Sequence, residues 1–431
     1  ILLQRAPKSI LGRLTIIFKA SLYLGYTPST WRTSKVIFLP KPGKDDYSDP
    51  GAYRPISLTS FVFKTLERIT LWRLESTYFV KHPNHKNQHA FRMGKGTESA
   101  LSDLVDYIEA GTKRGKMVMT VSVDISCAFD CVKHKNVRGF LLRSGLPYWF
   151  ADWYAFYLQS RSIEITISGT TIIRITAVGS PQGGVLSPRY WNLTMDLAIY
   201  LISQLPVTMF VYADDGTLAI TGTDPQAMID LMQGYVNKLT KWGADHGLKF
   251  DPTKTECMFF GTPRHTRITR HLRIDGKKIR PSKATKILEI AINKNLTFTP
   301  HITNKARQAS KLLFKLKTAI GSAWGLKPHI FRWAYTNVVM PMLLYGCLVW
   351  LPGNERKMRR HFHTVHRMAL MGISPVLQGT PTASLEIIHC IPPLEHEAVK
   401  LGTNAWNRIR QHTTQRWDSL NGRGVKTGHR A

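Results

Sequence analysis

Apolar residues recur at intervals of three and four along several segments of the chain, the spacing that turns one face of an α-helix towards a core. This pattern predicts an amphipathic helix around 11–18 and a mainly helical stretch after residue 301. It also predicts helices over 61–78, 97–112, 148–160 and 225–247. Alternation of apolar and polar residues is typical of half-buried strands. It predicts strands over 116–125 and 162–169, with shorter ones near 257–261 and 287–292.

Turn-forming residues interrupt these patterns at three places. Residues 35–59 pass from an extended segment through a cluster of Pro, Gly and Asp to another extended segment, which predicts a lobe built on a hairpin. Residues 179–188, GSPQGGVLSP, have no periodicity and predict a glycine-rich loop. Residues 210–220, FVYADDGTLAI, place Asp-Asp-Gly between two apolar runs and predict a second hairpin.

The basic charge of the chain predicts a polyanionic partner. The 431 residues are 43% hydrophobic, which allows a sizeable core, and 59 Lys and Arg against 28 Asp and Glu give a net charge of +31. Residues 261–431 hold 29 of these basic residues and only seven of the acidic ones. Nucleic acid is therefore the first candidate partner, and the second part of the chain is the surface expected to contact its backbone.

Membrane insertion and disulfide chemistry fit the sequence less well. The longest apolar stretch, 338–351, is interrupted by Pro341 and Gly346 and is too short to span a bilayer, so it predicts buried core. The five cysteines are odd in number and form no CxxC pair, which favours a reducing intracellular setting. Because the chain begins with Ile1, we expect it to be a piece of a longer polyprotein.

Asp214 and Asp215 are two adjacent carboxylates inside an otherwise apolar hairpin. Like charges resist burial unless a cation or protons compensate them. A plain turn would explain the pair, and so would a divalent cation, because Mg²⁺ prefers carboxylate oxygens. A third carboxylate, Asp124, ends the alternating strand in VSVDISCAFDCV (121–132). If that strand pairs beside the hairpin, the three carboxylates could hold two metal ions for nucleotidyl transfer.

The order and spacing of three motifs resemble the core motifs of reverse transcriptases. These motifs are VSVDISCAFDCV, GSPQGGVLSPRYWNL (179–193) and FVYADD (210–215). Flanking blocks look like those of non-LTR (LINE-type) retrotransposon polymerases, namely 53–69, 88–101, 248–260 and 287–302. The blocks together cover about residues 31–302, and the remainder is similar to the stretch that follows the polymerase in such elements.

The resemblance implies an α+β fold of the right-hand polymerase type with an antiparallel palm sheet. The implied divisions are an N-terminal segment and fingers over 1–115, a palm over 116–293, a basic helical thumb over 294–375 and a C-terminal extension over 376–431. The reverse transcriptase domain as a whole would cover about 20–293.

The implied activity is that of an RNA-directed DNA polymerase, a nucleotidyltransferase that adds deoxynucleotides to a primer 3′-hydroxyl by two-metal catalysis. Its implied partners are an RNA template, a DNA primer or target and deoxynucleoside triphosphates, without a membrane. The full-length polyprotein is expected to carry an upstream endonuclease and sometimes a downstream RNase H. By resemblance, the protein is expected inside the cell, in a cytoplasmic ribonucleoprotein and in the nucleus.

By resemblance, Asp124 and Asp214 ligate two Mg²⁺ ions, for which Mn²⁺ could substitute, and Asp215 completes the acidic cluster. Lys254 falls where the family places a lysine that protonates the departing pyrophosphate, although a solvated surface lysine explains it nearly as well. Asp130 is interpreted as a helix-stabilising or surface carboxylate.

The resemblance also implies substrate-binding residues. Phe129 matches the aromatic residue that closes off the sugar 2′ position, with a core phenylalanine as the alternative. Gln182 and Gly183 lie in the loop that relatives use at the nucleotide and template, unless this loop is a plain turn. The other substrate-binding candidates are Lys41 and Arg54, which match basic residues at the triphosphate, and Tyr212, which precedes the paired aspartates.

Glu289 departs from the family pattern, since relatives usually have glycine there in a tight turn that contacts the primer. A decayed copy would fit this departure, so a catalytically inactive nucleic-acid-binding remnant is the alternative function. An RNA-templated RNA polymerase is a third interpretation, which would not favour an aromatic residue at Phe129.

Two groups of histidines could suggest zinc, but neither has a cysteine nearby. We interpret His82, His85 and His89 as part of a solvated loop. The second group, His361, His363 and His366, is expected on a basic helix that contacts backbone phosphate.

Overall fold

The computed structural model describes residues 7–126, 128–134, 137–261, 269–318, 327–374 and 376–411. Cys127 of the first motif and residues 412–431 of the predicted C-terminal extension lie outside the described residues. The chain divides into two compact units. The first contains 1–88, 124–205 and 234–253, and the second contains 89–123, 206–233 and 254–431.

Helices and strands are mixed along the chain, as the predicted α+β class requires. The helices are α1 (Lys8–Tyr23), α2 (Ser29–Arg32), α3 (Phe61–Lys81), α4 (Thr97–Lys113), α5 (Ala128–Cys131), α6 (Val137–Arg143), α7 (Tyr148–Gln159), α8 (Ser187–Ser203), α9 (Pro225–His246), α10 (Thr299–Thr318), α11 (Pro328–Ala334), α12 (Met340–Leu344), α13 (Cys347–Trp350), α14 (Glu355–Ile373), α15 (Thr382–His389) and α16 (Leu394–Gln411). The strands are β1 (Thr33–Pro40), β2 (Tyr53–Leu58), β3 (Met117–Ser126), β4 (Ser162–Ile167), β5 (Thr170–Ile175), β6 (Thr208–Tyr212), β7 (Asp215–Gly222), β8 (Lys249–Phe250), β9 (Glu256–Phe260), β10 (Leu272–Ile274), β11 (Lys277–Ile279), β12 (Pro281–Ser282), β13 (Ala284–Ile287) and β14 (Ile290–Asn293).

The first unit combines a four-stranded sheet with a helical core rich in aromatic residues. The sheet has the order β2-β1-β4-β5, with β1 and β2 forming the antiparallel hairpin predicted for 35–59. Helix α3 forms because apolar residues three and four apart give it one buried face. Phe63 on that face packs against Tyr157 of α7, with ring centroids 4.4 Å apart. Strand β5 was not predicted, because its residues are exposed and lack the alternation that marks a half-buried strand.

The second unit is built on a sheet with the strand order β12-β9-β3-β7-β6. Helix α4, the hairpin β13–β14 and the helices from α10 to α16 contribute to one hydrophobic core, which includes Leu101, Phe260, Ile290, Trp350, Phe362 and Ala398. Most of the apolar stretch 338–351 lies in this core, as predicted, although Val338 is exposed. None of the described helices is both long enough and apolar enough to cross a membrane.

Most predicted helices and strands are confirmed to within a few residues at each end. The segment 287–292 is an exception, since a single strand was predicted there. It contains the end of β13, a two-residue turn at Leu288 and Glu289, and the start of β14. The linear divisions into fingers, palm, thumb and extension remain a prediction.

Candidate active site

The hairpin that carries Asp214 and Asp215 forms as predicted. Strands β6 and β7 pair antiparallel up to Tyr212 and Asp215, so Ala213 and Asp214 make the two-residue connection. Ala213 has a positive φ of 56°, which residues other than glycine adopt at some cost and which is often found at functional sites. Asp214 is half-buried and Asp215 is exposed, while residues 216–220 are buried. The turn therefore leaves both carboxylates at least partly exposed to solvent, so a turn at this position is compatible with a role for them in binding a cation.

Strand β3 lies beside β7 in the sheet of the second unit. The hydroxyl oxygens of Ser122 and Thr217 are 3.3 Å apart across these two strands. Asp124 follows two residues later on β3 and belongs to the first unit. There its carbonyl accepts a hydrogen bond from Asp251 N at 2.9 Å, and the adjacent Ile125 pairs with Phe250 of β8. Strand β3, on which Asp124 was predicted to lie, is thus paired with other strands on both sides of Asp124.

A cleft of about 340 Å³ opens at the tip of the aspartate hairpin in the second unit; we call it the aspartate cleft. Its lining includes Thr97, Ser122, Tyr212, Asp214, Asp215, Lys286, Leu288, Glu289 and Tyr345. Among these described lining residues, three carboxylates face one ammonium group, that of Lys286. An excess of carboxylate oxygens is the donor chemistry that a hard divalent cation prefers.

The described residues contain no group of three or more His, Cys, Asp or Glu side chains that could hold a metal ion. Asp214 and Asp215 supply two carboxylates within one unit, and the three-carboxylate site with Asp124 remains a prediction. Lys254 lies in the turn before β9, is exposed, and is absent from the described lining of the aspartate cleft.

The glycine-rich loop is held between a strand and a helix of the first unit. Gln182 O accepts a hydrogen bond from Ser57 N of β2 at 2.8 Å. Gly183 has a φ of 115°, and a Cβ there would lie 2.8 Å from Ser57 O, so the close approach requires glycine. The side chain of Gln182 donates from Nε2 to Asp130 Oδ2 at 2.7 Å. The loop therefore has a defined position rather than that of a plain connecting turn.

Asp130 is half-buried and bonded to Gln182, which the interpretation as a surface carboxylate did not anticipate. Burial raises the pKa of its carboxyl group, and the hydrogen bond from Gln182 and the charges of Arg161 and Lys41 oppose that shift. Lys41, a predicted triphosphate ligand, is thus close enough to act on Asp130 while its Nζ donates to Gly51 O at 2.9 Å.

The two remaining substrate-binding candidates of the first unit are Phe129 on α5 and Arg54 on β2, the strand that is hydrogen-bonded to the glycine-rich loop. Phe129 is half-buried on α5, with its ring centroid 5.4 Å from that of Trp191 on α8. Its carbonyl accepts a hydrogen bond from Ser180 N at 2.7 Å, so Phe129 adjoins the start of the glycine-rich loop. Arg54 is exposed on β2, paired with Leu39 and three residues from Ser57. The first unit therefore brings Phe129, Lys41 and Gln182 together around Asp130.

Glu67 is a buried residue that the sequence reasoning missed. Its carboxylate accepts hydrogen bonds from the backbone N of Val185 and of Leu186, each at 3.2 Å, at the end of the glycine-rich loop. The available signal was its position on the buried face of α3, between Phe63 and Thr70, where a carboxylate needs a partner.

His89 corrects the prediction of a solvated histidine loop. Its side chain is fully buried in the second unit, where Nδ1 lies 2.9 Å from Ser99 Oγ. Its backbone N donates to Val211 O at 2.9 Å and so contacts strand β6 of the aspartate hairpin. Burial keeps the pKa of His89 well below its ordinary value, which favours the neutral ring, while Nε2 lies 3.6 Å from Asp103 Oδ2.

His366 likewise does not lie on the phosphate-facing side of a basic helix, as was predicted for its group. It is buried on α14, where Nδ1 is 2.5 Å from the Tyr335 hydroxyl and Nε2 is 3.0 Å from Glu386 Oε1. His363 on the same helix is exposed. The group is therefore split between the core and the surface of the second unit.

The comparisons with known proteins agree with these motifs. Residues 39–308 match the family described as Reverse transcriptase (RNA-dependent DNA polymerase). The putative 115 kDa protein in type-1 retrotransposable element R1DM of Drosophila melanogaster is 25% identical over 90% of this chain and 37% of its own length. The probable RNA-directed DNA polymerase from transposon BS of the same species is 27% identical over 81% of this chain and 39% of its own length.

The chain thus spans somewhat more than a third of the length of these curated relatives. A solved structure, apo telomerase from Candida Tropicalis, aligns over 93% of this chain and 73% of its own, with 9% identity and a TM-score of 0.44. The family match alone covers more than half of the chain and contains all three core motifs. The chain therefore belongs to the reverse transcriptase family, and its curated relatives are proteins of non-LTR retrotransposons.

Proposed function

We propose that this chain is the catalytic part of an RNA-directed DNA polymerase of a non-LTR retrotransposon. It extends a primer by attack of the 3′-hydroxyl on the α-phosphate of a deoxynucleotide, and pyrophosphate leaves. The observation that carries the proposal is the pair of carboxylates, Asp214 and Asp215, at a hairpin tip that lines an open cleft in a chain of this family.

Asp124, Asp214 and Asp215 are proposed to hold the divalent cations, with Mg²⁺ as the usual ion and Mn²⁺ as a substitute. All three residues lie in core motifs of the segment that matches the family, which supports this assignment. When bound, the cations neutralise phosphate charge and make the primer hydroxyl a better nucleophile.

The side chains of this chain position the nucleotide. Phe129 is proposed to close off the sugar 2′ position, and Gln182 and Gly183 to contact the base pair that forms. Lys41 and Arg54 are proposed to bind the triphosphate. Tyr212 is proposed to border the site from the aspartate cleft, and Lys254 to give a proton to pyrophosphate.

The proposed partners are an RNA template and a DNA primer or target, which the net charge of +31 suits. The full polyprotein is proposed to carry an endonuclease upstream, and an RNase H follows downstream in some elements of this kind. We place it inside the cell, in a cytoplasmic ribonucleoprotein and in the nucleus, by analogy with other retrotransposon polymerases.

Primer extension on an RNA template tests the proposal. The purified chain, Asp214→Asn and Asp275→Asn are compared with Mg²⁺, with deoxynucleotides and ribonucleotides supplied separately and in competition. Asp275→Asn is a matched control, because Asp275 is also exposed at a hairpin tip, between β10 and β11, with a φ of 47° that asparagine tolerates.

The unmutated chain and Asp275→Asn should extend the primer with deoxynucleotides, and Asp214→Asn should be slower by at least about a hundredfold, since a cation ligand is lost. Preference for ribonucleotides would favour an RNA polymerase instead. No extension by the unmutated chain, together with salt-sensitive RNA binding, would favour an inactive remnant.

A further inference from the structure

The turn at Leu288 and Glu289 has a backbone that glutamate fits poorly. Ile287 pairs with Ile290, so the connection between β13 and β14 has only two residues. Both have positive φ, 45° at Leu288 and 67° at Glu289. Two positive φ angles define a type I′ hairpin turn, which favours Asn or Asp followed by Gly. The backbone conformation of this turn therefore does not favour a glutamate at position 289.

The second unit holds this turn firmly in place. The Tyr345 hydroxyl donates to Leu288 O at 3.2 Å. Gly346 has a φ of 64°, and an added Cβ there would lie 2.9 Å from Ile290 Cδ1. The backbone at Gly346 is therefore in close contact with β14, which glycine allows. Ile290 itself belongs to the hydrophobic core. The position of the Glu289 backbone is therefore set by its neighbours rather than by its own side chain.

The carboxylate of Glu289 forms an ion pair with Lys286. Oε2 of Glu289 and Nζ of Lys286 are 2.7 Å apart, and both side chains are more than half exposed. Both residues also line two neighbouring clefts. One is the aspartate cleft, with Asp214 and Asp215, and the other is a cleft of about 390 Å³ that also contains Asn304, Lys305 and Gln308.

The second cleft has the chemistry of a phosphate-binding track. Asn304 and Gln308 lie one turn apart on α10 and offer amide donors, and Lys305 between them offers an ammonium group. Burial lowers the pKa of Lys305, and the negative charge of Glu289 partly opposes this shift. Glu256 also lines this cleft, and its carboxylate accepts a hydrogen bond from the Thr285 hydroxyl. Glu289 thus adds a second negative charge beside the two lysines of this surface.

We propose that Glu289 lowers the affinity of this chain for the primer strand, because its carboxylate neutralises the charge of Lys286 beside the aspartate cleft. The ligand concerned is the phosphodiester backbone of the strand whose 3′ end reaches Asp214 and Asp215. The inference rests on the proposed function for the identity of that strand. Lys286 becomes a phosphate contact only when Glu289 is absent, because a paired ammonium group releases no counterion from the nucleic acid.

A double-mutant cycle on binding tests this. The full chain, Glu289→Gln, Lys286→Met and the double variant are titrated with a fluorescent RNA–DNA primer-template duplex over a range of KCl, without nucleotides. Glu289→Gln should tighten binding by about three- to tenfold and make the slope of log K against log salt steeper by about 0.9, as one more phosphate contact requires. Lys286→Met should have little effect alone and should abolish the gain in the double variant.

Two further variants distinguish the effect of the Glu289 charge from the effect of losing any surface ion pair and from the effect of the turn conformation. Glu397→Gln removes the acid of another ion pair with a lysine three residues away, Lys400 on α16, and should leave affinity unchanged. Glu289→Gly removes both the charge and the poor turn residue and should bind at least as tightly as Glu289→Gln. Tighter binding with glycine but not with glutamine would overturn the inference, because the turn rather than the charge would then be the cause.

Equal losses from Lys286→Met in both backgrounds would also overturn it, since Lys286 would then contact nucleic acid regardless of Glu289. This outcome is distinct from failure of the proposed function. Binding is measured without chemistry, so a chain that binds as expected but never extends a primer would contradict the polymerase activity alone.

Discussion

The carboxyl group of Glu67 is surrounded by protein on all sides and accepts two backbone hydrogen bonds from the end of the glycine-rich loop. Burial raises its pKa from 4.5 to about 7, and the hydrogen bonds from Val185 and Leu186 and the charges of Lys64 and Arg68 only partly oppose this. A single buried acid of this kind couples the loop that carries Gln182 to the pH of the solution.

The free energy of unfolding should therefore depend on pH through Glu67. Because the pKa is raised in the folded chain, the folded state keeps its proton while the unfolded state loses it between pH 4.5 and 7. The contribution is complete below 4.5 and is lost as the pH rises through 7, by about 3 kcal/mol. Glu67→Gln cannot titrate, so urea unfolding at pH 5, 6, 7 and 8 should show the unmutated chain losing stability relative to this variant. Parallel curves would contradict the assignment.

At the scale of elements, the position of the glycine-rich loop depends on its contacts with a strand and a helix rather than on any periodic pattern in its own sequence. It touches β2 through Ser57 on one side and α5 through Asp130 on the other. Gly183 is the point of closest approach, and its φ of 115° suits no residue with a Cβ. The geometry of Gln182 follows from this contact, since the two residues are adjacent.

Gly183→Ala should push the loop away from β2. We expect a loss of about 1–3 kcal/mol in the free energy of unfolding, from backbone strain and the overlap with Ser57 O, and a higher KM for deoxynucleotides because Gln182 moves. Gly169→Ala is the control, because Gly169 has a φ of 82° but nothing within 4 Å of an added Cβ. It should cost about 1 kcal/mol from strain alone and leave KM unchanged. Equal effects on KM would show that the contact with Ser57 is irrelevant.

At the scale of the whole molecule, the core of the second unit extends well beyond the family match. That match ends at residue 308, inside α10, whereas the core includes Phe362, Leu385 and Ala398. These residues share one hydrophobic cluster with Leu101 of α4 and Ile290 of β14. The helices from α10 to α16 are therefore part of the folded unit and not an appendage.

A chain that ends at residue 293, the predicted end of the reverse transcriptase domain, should consequently not fold cooperatively. Removal of α10 to α16 would expose apolar surface on α4 and β14 that they now cover, and burial of such surface is the main source of stability. Calorimetry should show no sharp unfolding transition and a hydrophobic dye should bind. A chain that ends at 411 keeps α10 to α16 and should show a sharp unfolding transition. A sharp transition for the shorter chain would contradict this prediction.

Local sequence determined a large part of this protein. The helices α3, α4, α7 and α9 follow from apolar spacing, and the aspartate hairpin follows from two apolar runs around Ala213 and Asp214. The three core motifs also mark the reverse transcriptase family in the sequence alone. These features depend on residues close together in the chain, so they can be predicted from it.

Only the tertiary structure decided which distant residues meet. It buried Glu67 under Val185 and His89 beside Ser99, bonded Gln182 to Asp130, and joined α16 to the core of α4. The sequence marks Glu289 as unusual, but the two clefts that it lines, one with Asp214 and the other with Lys305, depend on how β7, β13 and α10 pack. Such contacts come from long-range packing, whose free energy has no signature in any one segment of the chain.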